Sequence, residues 1–283
     1  MRTWPLLLII AIVFLSGCVG YSSKTDSSSS AACEKIIAEL PDIIKDNTGE
    51  DFRLFSVSRV VDGDTIELSG GEKVRFLEIN TPEKGMKYYD EAKSLTSDYV
   101  VNGVYLGKDV ELEDKYDRLL RYVFTKDSFV NAELLREGLA TVFIVGNDTK
   151  YADLMKCLEA EAKANKRGIW SSVNKYDISL FVNYDAPGND KDNLNGEYVV
   201  ITNNGNVAIN MQNWSIKDEA THIYKFGDAV LNPHESVKLY TGNGDNTLTE
   251  LYWNSKEPVW NNDGDTAFLF DKEGNLISSI SFP

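Results

Sequence analysis

A chain of 283 residues, 42% hydrophobic and 26% charged, has the make-up of soluble globular protein and the length for about two domains. Its formal charge of −15 excludes a protein that coats duplex nucleic acid through a broad basic surface, because such binding needs many lysine and arginine contacts to phosphate. The acidity is uneven: residues 1–50, 51–173 and 174–283 carry −2, −4 and −9, so the middle of the chain is nearly balanced.

Arg2 and an apolar run over residues 4–15 open the chain, and the run is too short for a comfortable membrane span. It ends in Leu15-Ser16-Gly17-Cys18, which looks like a lipoprotein signal box: small residues for a peptidase, then a cysteine whose thiol takes lipid. On that reading residues 1–17 are a signal peptide, Cys18 is lipidated, and residues 18–50 form a Ser-rich tether with a short helix. The alternative is an uncleaved N-terminal anchor helix. Both place the remainder outside the cytoplasm, the first as a protein lipid-anchored to the outer face of the cell membrane. Disulfides are permitted there. Cys33 and Cys157 then remain as a single pair, either bridged or two buried thiols, and the residues leave both open.

Ile36, Ile37, Leu40 and Ile44 have helical spacing and predict one short amphipathic helix over 34–44, running through Pro41. Residues 52–61, 65–68 and 73–79 read as three strands, joined by a hairpin turn at Asp62-Gly63 and a turn at Ser69-Gly70-Gly71. Residues 89–101 read as helix and 110–113 and 119–124 as strands. Asn131 is expected to cap a helix over 132–137 that Gly138 ends. A strand-like 139–145 and a long helix over 151–166, stopped at Gly168, complete a domain placed at 51–173. Short strands carrying helices suggest a small β-barrel. After Trp170 the pattern is short strands between Gly/Asn/Asp turns with no helix, among them 197–202, 237–240 and 266–270, which predicts an all-β sandwich over 176–283.

Both histidines, His222 and His234, fall in the sandwich. Hydrolytic chemistry in the middle domain therefore rests on carboxylates, arginines and an oxygen-preferring cation. Three stretches carry those groups. Asp62-Gly63-Asp64-Thr65 puts two carboxylates at a tight turn, and Arg75 leads along a strand into Asn80-Thr81-Pro82-Glu83. Asp114-Lys115-Tyr116-Asp117-Arg118 places a second arginine before another strand. Singly, each has a plain explanation as a turn, an edge charge or a solvated corner.

Together, and with Val130-Asn131, Gly138-Leu139-Ala140 and Gly168-Ile169-Trp170 in the same order, they resemble the staphylococcal nuclease (thermonuclease) family over about residues 55–170. The resemblance implies a five-stranded OB-type barrel with three helices and phosphodiester hydrolysis giving 3′-phosphate products. It puts calcium ligands on Asp64, Asn80 and the backbone carbonyl of Thr81, the general base on Glu83, and phosphate-binding arginines on Arg75 and Arg118. Lys115 and Tyr116 of the same corner are candidate substrate contacts. Three positions depart from the family pattern. Asn80 stands where aspartate is usual, and Ile144 and Gly146 lie near where a well-studied member stacks a base. Asp117 stands where glycine is common, able to pair with Arg118 or to face solvent.

Residues 177–282 resemble a lamin-tail domain with an immunoglobulin-like sandwich. The likeness is carried by residues 195–203, Trp214-Ser215-Ile216-Lys217-Asp218, Leu231-Asn232-Pro233 and residues 260–266. Asp263-Gly264-Asp265 reads as a turn rather than a metal site. That family lacks a single activity, so the sandwich is expected to be a non-catalytic appendage whose ligand the sequence does not specify. The expectation for the whole is a monomeric, calcium-dependent nuclease acting on extracellular DNA and/or RNA. The alternative is a nuclease-like barrel serving as a binding module at the cell envelope.

Overall fold

The computed structural model describes residues 27–48, 52–173, 175–220 and 222–282; the signal segment and Cys18 lie outside the described residues. Two helices replace the single one expected after the tether: α1 (Ser27–Ala38) and α2 (Leu40–Asp46). Pro41 has no N–H and its ring crowds the preceding turn, so it sits in the first turn of α2 and the break falls at Glu39.

The middle domain follows as β1 (Val57–Asp62), β2 (Thr65–Leu68), β3 (Lys73–Phe76), β4 (Ile79–Asn80), α3 (Tyr89–Val100), β5 (Tyr105–Gly107), β6 (Leu119–Phe124), α4 (Val130–Arg136), β7 (Thr141–Val142) and α5 (Ala152–Ala164). Five strands form one sheet in the order β1-β2-β3-β6-β5, antiparallel except where β3 meets β6. Just before β1 and β5, Phe55 and Val104 exchange backbone hydrogen bonds of 2.8 and 2.9 Å. The two sheet edges therefore meet, and the sheet curls into an OB-like barrel around Ile66, Val74, Phe76, Phe124 and Phe129. A disulfide joins Cys33 of α1 to Cys157 of α5, with 5.2 Å between their Cα atoms.

Three local expectations are corrected. The strand expected over 73–79 stops at Phe76, because Leu77 and Glu78 turn, Glu78 at a φ of 59°, and Ile79-Asn80 leave the sheet to pair with β7. Over 110–113 the expected strand shrinks to an isolated bridge of Glu113 to Leu119, with Val110 and Leu112 exposed; the edge strand is β5, paired with residues 122–124 of β6. Asn131 is not a cap. It lies inside α4, fully buried, accepting from the Val123 N–H at 3.0 Å and donating to the Leu77 carbonyl at 2.8 Å. Two sheet backbone groups that α4 would otherwise cover without a partner are satisfied in this way.

The C-terminal domain contains β8 (Ile178–Asn183), β9 (Tyr198–Asn203), β10 (Ile209–Asn210), β11 (Ser215–Lys217), β12 (Ile223–Lys225), β13 (Val230–Leu231), β14 (Ser236–Tyr240), β15 (Glu250–Tyr252), β16 (Asp265–Phe270) and β17 (Leu276–Phe282). Sheets β15-β14-β9-β8 and β12-β11-β16-β17 face one another, with β10 and β13 as a small pair. Strict alternation in β8 and β9 turns Leu180, Val182, Val199 and Ile201 onto a core shared with Trp214 and Trp260. A third apolar cluster lies between the domains, where Ile169 and Trp170 meet Phe268, Phe270 and Leu276. No described helix is long and apolar enough to cross a membrane.

Candidate active site

The turn between β1 and β2 is pressed against the loop that follows β4. A Cβ on Gly63 would stand 2.8 Å from the Thr81 side chain and 2.8 Å from Ala92 of α3, so only glycine fits. The Thr96 hydroxyl of α3 donates to the Gly63 carbonyl at 2.5 Å and holds the turn there. This places Asp64, which is buried, with one carboxylate oxygen accepting from Thr81 N–H at 2.7 Å and Thr81 Oγ1 at 3.1 Å. Its other oxygen accepts from Thr65 Oγ1 at 3.1 Å and lies 3.3 Å from Arg75 Nε.

Arg75 arrives by register, since β3 sets it opposite Thr65 of β2. Its guanidinium donates to the Phe76 carbonyl and, at 3.1 Å, to Asn80 Oδ1. Asn80 in turn donates from Nδ2 to the Glu219 carbonyl of the sandwich at 2.9 Å. Asp64, Arg75, Asn80 and Thr81 are therefore one connected network.

Asp62 stands beside it. Burial and the neighbouring Asp64 push its carboxyl up to about 6, against the pull of Thr65 and Arg75. Its Oδ1 is enclosed and has no hydrogen-bond partner among the described residues. Two neighbouring carboxylates, one with an orphaned oxygen, and the Asn80 amide oxygen bonded to Arg75 are oxygen donors, the kind a hard cation such as calcium prefers. In kind they suit that ion, though no group of three or more His, Cys, Asp or Glu is gathered as a metal cluster among the described residues.

The second arginine is placed differently. Arg118 immediately precedes β6, whose Leu120 lies opposite Arg75. Its Nε donates to Asp114 at 2.7 Å and its Nη2 lies 2.6 Å from the same oxygen. Asp117 is exposed and is not its partner. Lys115 and Tyr116 are exposed on the same corner, the Tyr116 ring 5.5 Å from the Arg118 guanidinium carbon. Glu83 is exposed on the loop after Thr81. The structure joins Asp64, Arg75, Asn80 and Thr81 by direct bonds; among the described residues neither Arg118 nor Glu83 bonds to that network.

Two features had no sequence signal. Glu78 is buried behind the loop, accepting from Tyr122 Oη at 2.6 Å and from Tyr151 N–H at 3.0 Å, and burial pushes its carboxyl up to about 7. Lys217, on β11, is buried next to Asn80 and Thr81; burial pulls its ammonium below the usual lysine range, opposed by Asp218, Glu83, Glu219 and Asp265. The lamin-tail likeness includes Trp214–Asp218, but nothing in it says which residue faces the other domain.

A curled five-stranded sheet whose β1–β2 turn and β4 loop bring Asp64, Asn80 and Thr81 to a fixed arginine is an OB-like barrel with a buried polar network at one end. Residues 73–172 match the family described as Staphylococcal nuclease homologue, and residues 174–283 match the Lamin Tail Domain. The chain is 34% identical over 126 residues to the thermonuclease of Staphylococcus intermedius, covering 41% of this chain and 75% of that protein. It is 38% identical over 128 residues to Endonuclease YncB and to the SPbeta prophage-derived endonuclease YokF of Bacillus subtilis, in both cases over 41% of this chain. Those matches span 61% and 43% of the two proteins, less than two thirds of either. The chain belongs to the staphylococcal nuclease family, with a lamin-tail domain following the nuclease-like barrel.

Proposed function

We propose that the chain is a calcium-dependent nuclease that hydrolyses phosphodiester bonds of extracellular DNA and/or RNA. The observation that carries this reading is the enclosed Asp62–Asp64 pair, with its unpartnered oxygen, bonded through Asp64 to the anion-seeking Arg75. Relatives named thermonuclease and endonuclease support it. Asp64, the Asn80 side-chain oxygen and the Thr81 carbonyl would hold calcium, with Asp62 adjacent. The ion, when bound, supplies positive charge beside the scissile phosphate.

The remaining steps belong to the chain's own residues. Arg75 is held on three sides by Asp64, Phe76 and Asn80, so its guanidinium is preorganised to stabilise charge gathering on the phosphate's equatorial oxygens. Arg118 keeps its Nη1 side clear of Asp114 and offers it as the second phosphate contact. Glu83 takes a proton from the water that attacks phosphorus, a new P–O bond forms from that water, and the bond to the 5′ oxygen breaks, that oxygen leaving as an alcohol with a proton taken from solvent water. The 3′-phosphate product follows the family resembled. Lys115 and Tyr116, beside Arg118, extend the substrate contact. A lipid on Cys18 would hold the monomeric enzyme at the outer face of the membrane.

The test is cleavage of fluorogenic DNA and RNA by the protein from Ala31 onward, with calcium, with chelator, and with Glu83→Gln. Calcium-dependent cleavage that falls at least a hundredfold in Glu83→Gln is expected, the scale of a lost general base. Cleavage that survives chelator or the substitution would sink the reading. A specific observation favours the second reading, a binding module: Asp114 holds the Nε–Nη2 edge of Arg118, so only its Nη1 side is left to contact a phosphate. Salt-dependent oligonucleotide binding with no cleavage would establish it instead.

A further inference from the structure

Lys217 ends β11, and its side chain is only 7% exposed. It lines a small cavity between the domains together with Asn80, Thr81, Pro82 and Thr141. Among the described residues its ammonium makes no hydrogen bond or ion pair, while Asp218, Glu219, Asp265 and Glu83 act on it at longer range. Three of those four acids are engaged within the sandwich. Asp218 is 2.6 Å from His222, and Glu219 accepts from Thr266 Oγ1 at 2.5 Å. Asp265 accepts from the backbone N–H groups of Glu219, Asn261 and Thr266. Glu83 alone belongs to the barrel.

A lysine taken almost wholly out of solvent without a direct bond costs stability, and an apolar residue of similar length would be cheaper. The cavity offers about 30 Å3, room for water but not for a nucleotide, so substrate is not its partner. What it faces is the loop that carries the site. Two residues further on, the Glu219 carbonyl takes its hydrogen bond from Asn80 Nδ2. An aspartate at position 80 has no proton to give when ionised and would set a carboxylate against that carbonyl. The residue that departs from the family's usual aspartate is thus the one that bonds to the sandwich.

We propose that the sandwich is a working part of the nuclease site, with Lys217 a positioning residue that, together with the Asn80–Glu219 bond, holds the loop from Asn80 to Glu83 in place. The proposal rests on the nuclease reading of that loop but is tested apart from it. The full chain is compared with Lys217→Met, Lys217→Arg and, as a surface control, Lys272→Ala. Readouts are kcat and KM on DNA, the thermal midpoint, and hydrogen exchange of the amides of residues 80–88. Lys217→Met is expected to lose on the order of tenfold in kcat with KM nearly unchanged, because the reacting groups are misplaced rather than removed. Its midpoint should hold or rise, its 80–88 amides should exchange faster, and Lys217→Arg should recover part of the rate. Wild-type kcat and wild-type loop exchange in Lys217→Met would overturn the proposal, as would a rate loss that tracks a fallen midpoint. A wild-type chain that cleaves nothing defeats the nuclease reading instead, and loop exchange still decides this one: faster exchange supports it and unchanged exchange overturns it.

Discussion

At the scale of single residues, the corner before β6 shows why glycine suits the position that Asp117 holds in this chain. Asp114 organises the corner, accepting from the Tyr116 N–H at 2.9 Å and the Arg118 N–H at 3.1 Å as well as from the Arg118 side chain. Closing that ring of bonds forces Asp117 to a φ of 62°. Aspartate tolerates the left-handed region better than most residues but less well than glycine. Asp117→Gly is therefore expected to stabilise the fold by about 0.5 kcal/mol, net of the extra freedom glycine gains in the unfolded chain. A thermal midpoint higher by about a degree or two is the readout; a lower midpoint would mean that the aspartate makes a compensating contact. Glu197 shows the opposite case, a charge placed badly. It is fully buried, one oxygen accepts from the Val259 N–H at 3.1 Å, and the other has no partner among the described residues. Burial pushes its carboxyl above the usual range. The folded form thus holds its proton to higher pH than the unfolded form. That stabilisation is complete below the unfolded value and is lost as pH rises through the folded one. Glu197→Gln should therefore raise the thermal midpoint at pH 8 and change it little at pH 4. An equal gap at both pH values would refute the assignment.

At the scale of elements, the N-terminal helices are held by apolar packing, a hydrogen bond and a disulfide. Ile36, Ile37 and Leu40 pack on the barrel core, and Asn47 Nδ2 donates to Tyr151 Oη at 2.9 Å. The Cys33–Cys157 disulfide spans a sequence separation of 124 residues. A closed loop of that size carries about 4–5 kcal/mol in chain-entropy terms, of which measured bridges often deliver less. The double variant Cys33→Ser/Cys157→Ser is expected to lose roughly 2–4 kcal/mol in denaturant unfolding. In hydrogen exchange α1 should open first while β2, β3 and β6 stay protected. An unchanged midpoint under reductant would show the bridge to be incidental. The elements themselves were legible in proportion to their periodicity. α3 and α5 follow helical spacing, and β8, β9 and β14 of the sandwich follow alternation. The errors fall where tertiary contacts override it. An apolar run over 73–79 conceals the turn at Glu78, which a buried hydrogen-bond network with Tyr122 and Tyr151 holds at positive φ. Val110 and Leu112 look like strand residues yet are exposed, and the backbone of their segment meets that of β6 only through the Glu113–Leu119 bridge and one backbone bond from Leu120 to Leu112.

At the scale of the molecule, the site residues Asp64, Arg75, Asn80 and Thr81 were legible because family motifs sit close in sequence. The domain contact was not, since it joins Asn80 to Glu219 across 139 residues. One clue was present. β16 is buried along all six residues, where a sandwich strand with one wet face would alternate. Ala267 and Leu269 fill the sandwich core, whereas Phe268 and Phe270 turn outward onto Ile169 and Trp170 of the barrel. The two domains thus share apolar surface, and their stabilities should be linked. Calorimetry of the full chain is expected to show a single transition. Phe270→Ala removes the ring from that shared cluster at a cost of about 2–4 kcal/mol, somewhat below a fully enclosed phenylalanine because the site borders solvent. It should split the transition into two, with loss of the sandwich contact preceding barrel unfolding. If the sandwich holds the Asn80–Glu83 loop as inferred, nuclease activity in Phe270→Ala will decline with the first transition rather than the second. Activity that persists until the barrel itself unfolds would confine the contact to stability, and two transitions in the unsubstituted chain would deny the coupling altogether.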